Sequence, residues 1–509
     1  MVKGKGVIMR SAKSSILKKS LSVHNLASWI GGFALLIFAL SGLTHPIMTW
    51  TGPQAAAFFP PQATIKPELV SRIPSTLQRA NITEAMVVKV VPAEEGVLLQ
   101  VTEDSSRPRR YFKLESGEEL PHYEEKYAIW LARYYAGLPN ASIRAVKFQE
   151  DFSAEYPWVN RLLPVYKVEF DSEDNLSVFV YTELSALADI SNRKKRILQK
   201  IFQWGHTWSF LDGVPVPRSV LIALMMLSVI GMAISGVVLI LLMRNRKMPL
   251  HRKLHRGLGV LIWIPILALS SSGLYHLLQS SLSNTERGLK FGKPISVTPD
   301  RFGNVVSVSA QALNTSLNSV TLVEGPAGEL IYRLGIPQGD QGKPVSRQIR
   351  FNGVPIEKEA IFLSAIDGQE SPITDRDIAL SYARKHLNIF PESITHTEIV
   401  TSFGPDYDFR NKRLPVWRID YKQPKSETIF IDPASGFLVD RVVGTERVEG
   451  VSFSMLHKWN FLTPLIGRMG RDLVVVLVLI LSISGVGIGL WMLWLRRFSR
   501  FDRRLRNRA

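Results

Sequence analysis

HNLASWIGGFALLIFALSGLTH, from His24 to His45, is read twice in this chain: HRGLGVLIWIPILALSSSGLYH, from His255 to His276, repeats its length, its apolar character and its terminal histidines at an offset of 231. A bilayer core of ~30 Å is crossed by about 20 helical residues, and each copy is long enough. Four runs qualify: Leu26 to Met48, Val220 to Met243, Leu258 to Leu278 and Leu473 to Leu495, none containing Asp, Glu, Lys or Arg. Buried helices of a soluble protein would not keep four such runs free of charge. A four-helix membrane bundle is therefore expected. The first run is too long for the apolar region of a cleaved signal peptide.

Charge flanks these runs. The cations Lys3, Lys5, Arg10, Lys13, Lys18 and Lys19 precede the first; Arg244, Arg246, Lys247, Arg252, Lys253 and Arg256 link the second to the third. Arg496, Arg497, Arg500, Arg503, Arg504, Arg506 and Arg508 follow the fourth. With the lone Asp502 among them, these residues account for the whole net charge of +18. Short cytoplasmic segments retain Lys and Arg, so both termini are expected in the cytoplasm and the two long segments outside it. A nucleic-acid binder would carry its excess charge on a folded face. Here the charge marks topology and contact with anionic membrane lipid. Cysteine is absent, which excludes disulfides, iron–sulfur clusters and thiolate haem ligation and suits an oxidising compartment.

The repeat extends beyond the spans. LPVYKVEF (Leu163 to Phe170) returns as LPVWRIDY (Leu414 to Tyr421), and HTWSFL (His206 to Leu211) as HKWNFL (His457 to Leu462), both at an offset of 251. Gly117 with Gly368, Ala128 with Ala379, Arg133 with Arg384, Phe152 with Phe403 and Tyr156 with Tyr407 keep that offset. The expected architecture is an internal duplication of span, α+β domain, span, with about 20 residues inserted in the second half. The insertion is expected in the Gly- and Pro-containing stretch Ile336 to Ala360. Halves built this way enter the membrane in the same sense and are related by an axis along its normal. Alternating runs at Met86 to Val91, Val97 to Val101, Val165 to Phe170 and Leu176 to Tyr181 predict strands. Helical spacing is read at Ala128 to Ala136 and Ile378 to Leu387, the latter behind the capping residues Thr374 and Asp375.

The expected order is a basic N-terminus (1–23), a first span (24–48), a first outer domain with an interfacial helix (49–218), a second span (219–243) and a basic loop (244–256). A third span (257–278), a second outer domain with an interfacial helix (279–471), a fourth span (472–495) and a basic tail (496–509) complete it.

TDRDIALSYARKHL, followed by LPVWRIDYKQPKSETIFIDPASGFLVDRV, resembles a PepSY domain: a helix, then strands closing on an Asp-Pro-x-Ser-Gly hairpin. Gly436 supplies the positive φ of that turn. The first half departs from the pattern, with Tyr181, Thr182 and Ser185 at the positions of Asp432, Pro433 and Gly436. Taken with the spans and their histidines, nearly the whole chain is similar to PepSY-associated transmembrane proteins, the iron-regulated group that includes periplasmic siderophore reductases. The resemblance implies a bacterial inner-membrane location, periplasmic outer domains and a ferric siderophore as substrate.

Six of the ten histidines pair across the repeat: His24 with His255, His45 with His276, and His206 with His457. On a helix, 21 residues span ~31 Å and leave two side chains within about 60° of each other. Each long span thus offers one imidazole to each membrane surface. If the first and third spans pack side by side, His24 faces His255 near the cytoplasm and His45 lies near His276 outside. His206 and His457 sit on tryptophan-rich amphipathic segments suited to the lipid boundary. Imidazole is the axial ligand of b-type haem, which needs opposed histidines in an apolar slot, so all six are candidate ligands for two or more haems. Ser41-Gly42, Ser235-Gly236, Ser272-Gly273 and Ser484-Gly485 supply close-approach points on the spans. His122, His251, His386 and His396 lack partners and are expected on the surface or in loops.

These expectations describe an oxidoreductase that passes electrons across the membrane to a ferric siderophore and releases iron. No nucleotide fingerprint is present, so the donor, a quinol or a cytoplasmic flavin reductase, is separate. Hydrolase motifs are absent, and the spans lack the acidic residues of a coupling-ion path. The alternative is a membrane-anchored binding protein, without redox activity, acting on a periplasmic enzyme, because PepSY modules resemble inhibitory propeptides.

Overall fold

The computed structural model describes residues 2–57, 59–243, 248–282, 288, 292–303, 317, 319–335, 360–404, 406–422 and 426–506, and their side chains except at 2–13, 67 and 498–506. The stretch 336–359, where the insertion was expected, lies outside these residues, as do Arg244, Arg246 and Lys247 of the basic link. In chain order the helices are α1 (Val2–Thr51), α2 (Pro67–Val70), α3 (Ile73–Arg79), α4 (Tyr123–Ala136), α5 (Arg193–Phe202), α6 (Pro215–Leu242), α7 (Leu250–Leu282), α8 (Asp375–Leu387), α9 (Gly444–Ser452) and α10 (Thr463–Arg506). The strands of the first half are β1 (Glu84–Ala85), β2 (Val87–Ala93), β3 (Gly96–Thr102), β4 (Arg110–Lys113), β5 (Ile143–Gln149), β6 (Val165–Phe170), β7 (Ser177–Tyr181) and β8 (Ala186–Ser191). Those of the second are β9 (Ile295–Ser296), β10 (Ser319–Glu324), β11 (Leu330–Gly335), β12 (Ile361–Ser364), β13 (Ile394–Val400), β14 (Val416–Tyr421), β15 (Glu427–Asp432) and β16 (Phe437–Val443).

The chain divides into two compact units. One comprises Met1–Gly52, Lys194–Thr285 and Thr445–Ala509; the other comprises Pro53–Arg193 and Glu286–Gly444.

The first unit is helical. Four helical stretches, Ser14–Thr51, Pro215–Leu242, Leu250–Leu282 and Asn460–Arg497, are long and apolar enough to cross a membrane. They run past the apolar stretches read from sequence because the flanking residues, rich in Lys, Arg, Ser and Gln, are also helix-compatible. They pack in a ring, α1 on α6, α6 on α7, α7 on α10 and α10 on α1. The side-by-side packing of the first and third spans, on which the pairing of their histidines was conditional, is not what is seen: α1 and α7 face each other across the bundle. Pro215 opens α6 in the first turn, where its missing N–H costs nothing. Gly467, at φ +70, interrupts α10 near its start.

The second unit is α+β, and both long segments build it. Its central sheet has the order β12-β11-β10-β2-β3-β4, a three-stranded meander from each segment joined edge to edge. At the seam β2 and β10 run antiparallel, with Val320 opposite Val90, Thr321 opposite Lys89 and Leu322 opposite Val88. A second crossing pairs β1 with β9. One face of this sheet buries Val88, Val90, Leu99, Val101 and Phe112 together with Val320, Leu322, Tyr332 and Leu334. At about 1.5–3 kcal/mol for each large apolar side chain buried, this shared core binds the segments strongly.

Two four-stranded antiparallel sheets, β5-β6-β7-β8 and β13-β14-β15-β16, complete the unit, and α4 and α8 pack against them through Tyr127, Leu131 and Tyr135 and through Ile378, Tyr382 and Ala383. The sequence places β6 at its observed bounds, but α4 starts five residues earlier than expected, behind left-handed His122. α8 starts at Asp375 behind a reciprocal cap between Thr374 and Asp377. Asp375 itself is buried and paired with Arg333 at 2.7 Å. His386 is not the surface residue expected: half-buried on α8, its Nε2 lies 2.8 Å from the Gly436 carbonyl. The backbone turns left-handed at Arg161 and Lys412, Ser185 and Gly436, and Trp208 and Trp459, each pair 251 residues apart.

Buried charges cross the seam between the segments. The Arg413 guanidinium donates to Glu183 and, at 2.6 Å, to Asp432, while Lys89 reaches Glu183 at 3.4 Å. Beside them Arg161 donates to Asp440 at 3.2 Å and to Asn411 at 2.8 Å. Burial raises the Glu183 carboxyl, but Arg413, Lys89 and Arg109 together hold it below the usual carboxylate range. Asp432, the acid of the hairpin, is spent on Arg413, Ser435 and the Ala434 N–H.

Two outcomes are expected. Glu183→Gln leaves Arg413 and Lys89 short of charge in the interior and destabilises the α+β unit by about 3–5 kcal/mol, read as a lower first unfolding transition of the detergent-solubilised protein in calorimetry. Burial holds the His386 imidazole below its ordinary 6.5, so its contribution is complete above that pH and is lost as pH falls toward the folded value, because the unfolded chain protonates first. His386→Gln is expected to flatten that part of the stability–pH curve; an unchanged curve would exclude the effect.

Candidate functional site

Inside the helical unit the imidazoles gather at two levels. At the basic end, His24 of α1 and His255 of α7 meet across the bundle with ring centres 6.4 Å apart and planes at 64°. At the other level His206 and His457 meet with centres 6.2 Å apart and planes at 73°. Both come from π turns, Gln203–Thr207 and Phe453–His457, that precede α6 and α10. Left-handed Trp208, at φ 55, and Trp459, at φ 53, follow. Bulky residues rarely adopt this conformation, and strain of this kind concentrates at functional sites.

Each ring is fixed through Nδ1 by a different helix. His24 Nδ1 lies 3.0 Å from the Met232 carbonyl and 3.2 Å from Ser235 Oγ on α6; His255 Nδ1 lies 2.9 Å from the Gly485 carbonyl on α10. His206 Nδ1 lies 3.3 Å from Ser41 Oγ on α1; His457 Nδ1 lies 3.1 Å from the Leu269 carbonyl and 3.3 Å from Ser272 Oγ on α7. A backbone carbonyl accepts only from a protonated nitrogen, so in His24, His255 and His457 the proton is assigned to Nδ1 and the Nε2 lone pair is left available.

Glycines make room for the rings. A Cβ at Gly489 would stand 3.0 Å from His255 Cε1, at Gly236 3.3 Å from His24 Cε1, and at Gly273 3.3 Å from His457 Cε1. The Ser-Gly pairs read from sequence as packing points thus meet the histidines: three supply a serine oxygen to Nδ1, and the fourth supplies the Gly485 carbonyl.

Between the levels, Ala34, Met225, Val229, Ile262 and Ile266 form an apolar layer. Seventeen residues separate His24 from Ser41 on α1, and His255 from Ser272 on α7, so the levels are ~25 Å apart at 1.5 Å per residue.

His45 and His276, which side-by-side packing of the first and third spans would have placed near each other, contact different rings. His45 lies 6.0 Å from the Phe202 ring, which stacks on His206 at 4.8 Å. His276 stacks on Phe453 at 4.3 Å, and Phe453 on His457 at 4.6 Å. On the second route His276 Nδ1 also meets Glu449 Oε1 at 2.5 Å. The sequence reading paired residues at equal height on equivalent helices, and it missed that the π turns carry His206 and His457 inward between them. Of the unpaired histidines, His251 stands edge-on to Trp491 at 5.5 Å, and exposed His396 lies 3.4 Å from Glu398.

Among the described residues no group of three or more His, Asp or Glu is arranged to hold a metal ion. Among the same residues the imidazoles stand in twos. No family model matches the chain, and no curated protein matches it.

The seating of the His206 turn against α1 can be checked directly, because a Cβ on Gly205 would stand 2.8 Å from Ser41 Cβ, closer than two side chains can approach. Gly205→Ala is therefore expected to push the turn off α1 and to destabilise the helical unit by about 1–3 kcal/mol, read as a lower thermal midpoint that Ser41→Gly in the same chain restores. An unchanged midpoint in Gly205→Ala would mean that the turn is seated elsewhere.

Proposed function

We propose that the chain is a haem-bearing membrane oxidoreductase, internally duplicated, of the PepSY-associated kind that its sequence resembles. In this reading it lies in a bacterial inner membrane, with both termini in the cytoplasm and the α+β unit in the periplasm. Its b-type haems number two. His24 and His255 hold one, and His206 and His457 the other.

The carrying observation is the spacing of the two pairs. Two imidazoles that shared one haem iron through nitrogen at ~2.0–2.1 Å would have ring centres ~6.3 Å apart; the chain sets them at 6.4 and 6.2 Å. The donor set agrees. Two facing imidazole nitrogens suit a porphyrin, which brings its own four nitrogens and leaves two positions for the protein to fill. When bound, haem supplies a one-electron carrier at each level.

The protein's own groups prepare these places. The carbonyls of Met232, Gly485 and Leu269 hold the Nδ1 protons, which fixes the rings and raises the basicity of Nε2. Glycines 236, 273 and 489 let the rings lie against the helices. The apolar layer around Ala34 and Ile266 keeps water and ions from the space between the levels. Ligation thus falls to four of the six expected histidines, leaving His45 and His276 as aromatic neighbours at the far end.

The substrate implied by the resemblance is a ferric siderophore. One electron takes Fe³⁺ to Fe²⁺, which binds hard oxygen ligands less tightly and leaves them. The electron comes from a separate donor, a quinol or a cytoplasmic flavin reductase.

A pyridine haemochrome assay of the purified protein is expected to give two haems per chain. His24→Ala and His255→Ala should each remove one and the same haem, His206→Ala and His457→Ala the other, while His45→Ala and His276→Ala retain both. A colourless protein that still supports iron release in cells would sink the redox reading and leave the membrane-anchored binding protein in its place.

A further inference from the structure

Helix α5 carries Arg193, Lys194, Lys195, Arg196 and Lys200 with no acidic residue, and it lies shortly before the membrane helix α6. Cations this close to a span end belong to those that orient a membrane protein, yet with four spans they fall on the side opposite the three basic clusters. Their placement works against the topology signal, so they need another reason to be there.

The equivalent helix of the second half, α9, stands in the same position before its π turn and α10. Both present apolar side chains outward. On the first, Ile197 and Ile201 are 54% and 49% exposed, with Trp204 of the following π turn at 54%; on the second, Val448 is 61% exposed, with Leu456 of the following π turn at 46%. Their charges differ: α9 has Glu446, Arg447 and Glu449 where α5 has Lys195, Arg196 and Leu198. On α5, Arg193, Lys194 and Lys200 are exposed beside the apolar residues, and Lys200 Nζ lies 5.0 Å over the Trp204 ring.

Exposed isoleucine and tryptophan interleaved with cations match a bilayer boundary, where apolar groups sink to acyl depth and long cationic side chains reach the headgroups. An acidic protein would meet the cations and leave the isoleucines in water. We propose that α5 binds the headgroups of anionic phospholipid on the membrane face from which the α+β unit's segments leave, and that α9 rests on the same face without that preference. The two halves are then anchored differently: the first is tied to anionic lipid, and the second is held by apolar contact alone.

The test is photo-crosslinking of the full-length protein in nanodiscs doped with a diazirine-bearing phosphatidylglycerol, with labelled peptides mapped by mass spectrometry. Labelling is expected at residues 193–204, competed by unlabelled phosphatidylglycerol but not by phosphatidylcholine. It should fall by about tenfold or more when three surface cations are removed in Arg193→Gln, Lys194→Gln, Lys200→Gln. The charge-conserving Lys194→Arg, Lys200→Arg variant should label as the parent does, which separates loss of charge from loss of fold. Labelling equal at residues 444–455, equal with a phosphatidylcholine probe, or displaced by free glycerol phosphate at the same concentration would each overturn the proposal.

Discussion

Four polar contacts at imidazole Nδ1 tie the long apolar helices of the helical unit to one another. An apolar helix has no polar handle of its own, and association among such helices rests on close packing and the few polar groups that must find partners. His24 finds its partner on α6, His255 on α10, His206 on α1 and His457 on α7. Every helix of the ring is therefore held by an imidazole that another segment supplies. Glycines beneath the rings permit the approach, and the π turns deliver the second pair to the bundle interior.

The α+β unit follows a different logic toward the same end, which is to make two similar segments inseparable. The seam between β2 and β10 is backbone hydrogen bonding, continuous through a six-stranded sheet. Beside it sits a buried charge cluster, with Glu183 from one segment and Arg413 and Asp432 from the other. Buried ion pairs of this kind add little net stability over apolar contact, but they tolerate only one arrangement, since a displaced partner leaves a charge in the interior. They therefore fix which edges meet.

Much of this was legible in the chain itself. Charge-free runs gave the four long apolar helices, and alternation gave β2, β3, β6 and β7; the recurring LPV and His-x-Trp stretches pointed to the parallel between β6 and β14 and between the two π turns. The meeting of His24 with His255 was read only on the condition that the first and third spans pack side by side; the structure brings the two rings together across the bundle instead. What was hidden depends on arrangement in three dimensions. Ring order among the helices is set by the glycine and serine contacts, which look alike on all four. The inward turn of His206 and His457 depends on one extra residue in a helical turn and on left-handed tryptophans, for which local sequence carries no established signal. The shared sheet was missed because each meander is a complete pattern alone, and nothing in β2 states that its edge belongs to β10.

That shared sheet has a bearing on synthesis. Val90 emerges from the ribosome long before its partner Val320, and two membrane helices must be inserted in between. During that interval β2 presents an open, apolar strand edge of the kind that recruits other chains. The nascent first half thus needs its edge covered, by a folding helper or by the membrane surface, until the second half arrives. Truncation after α6 would make that exposure permanent.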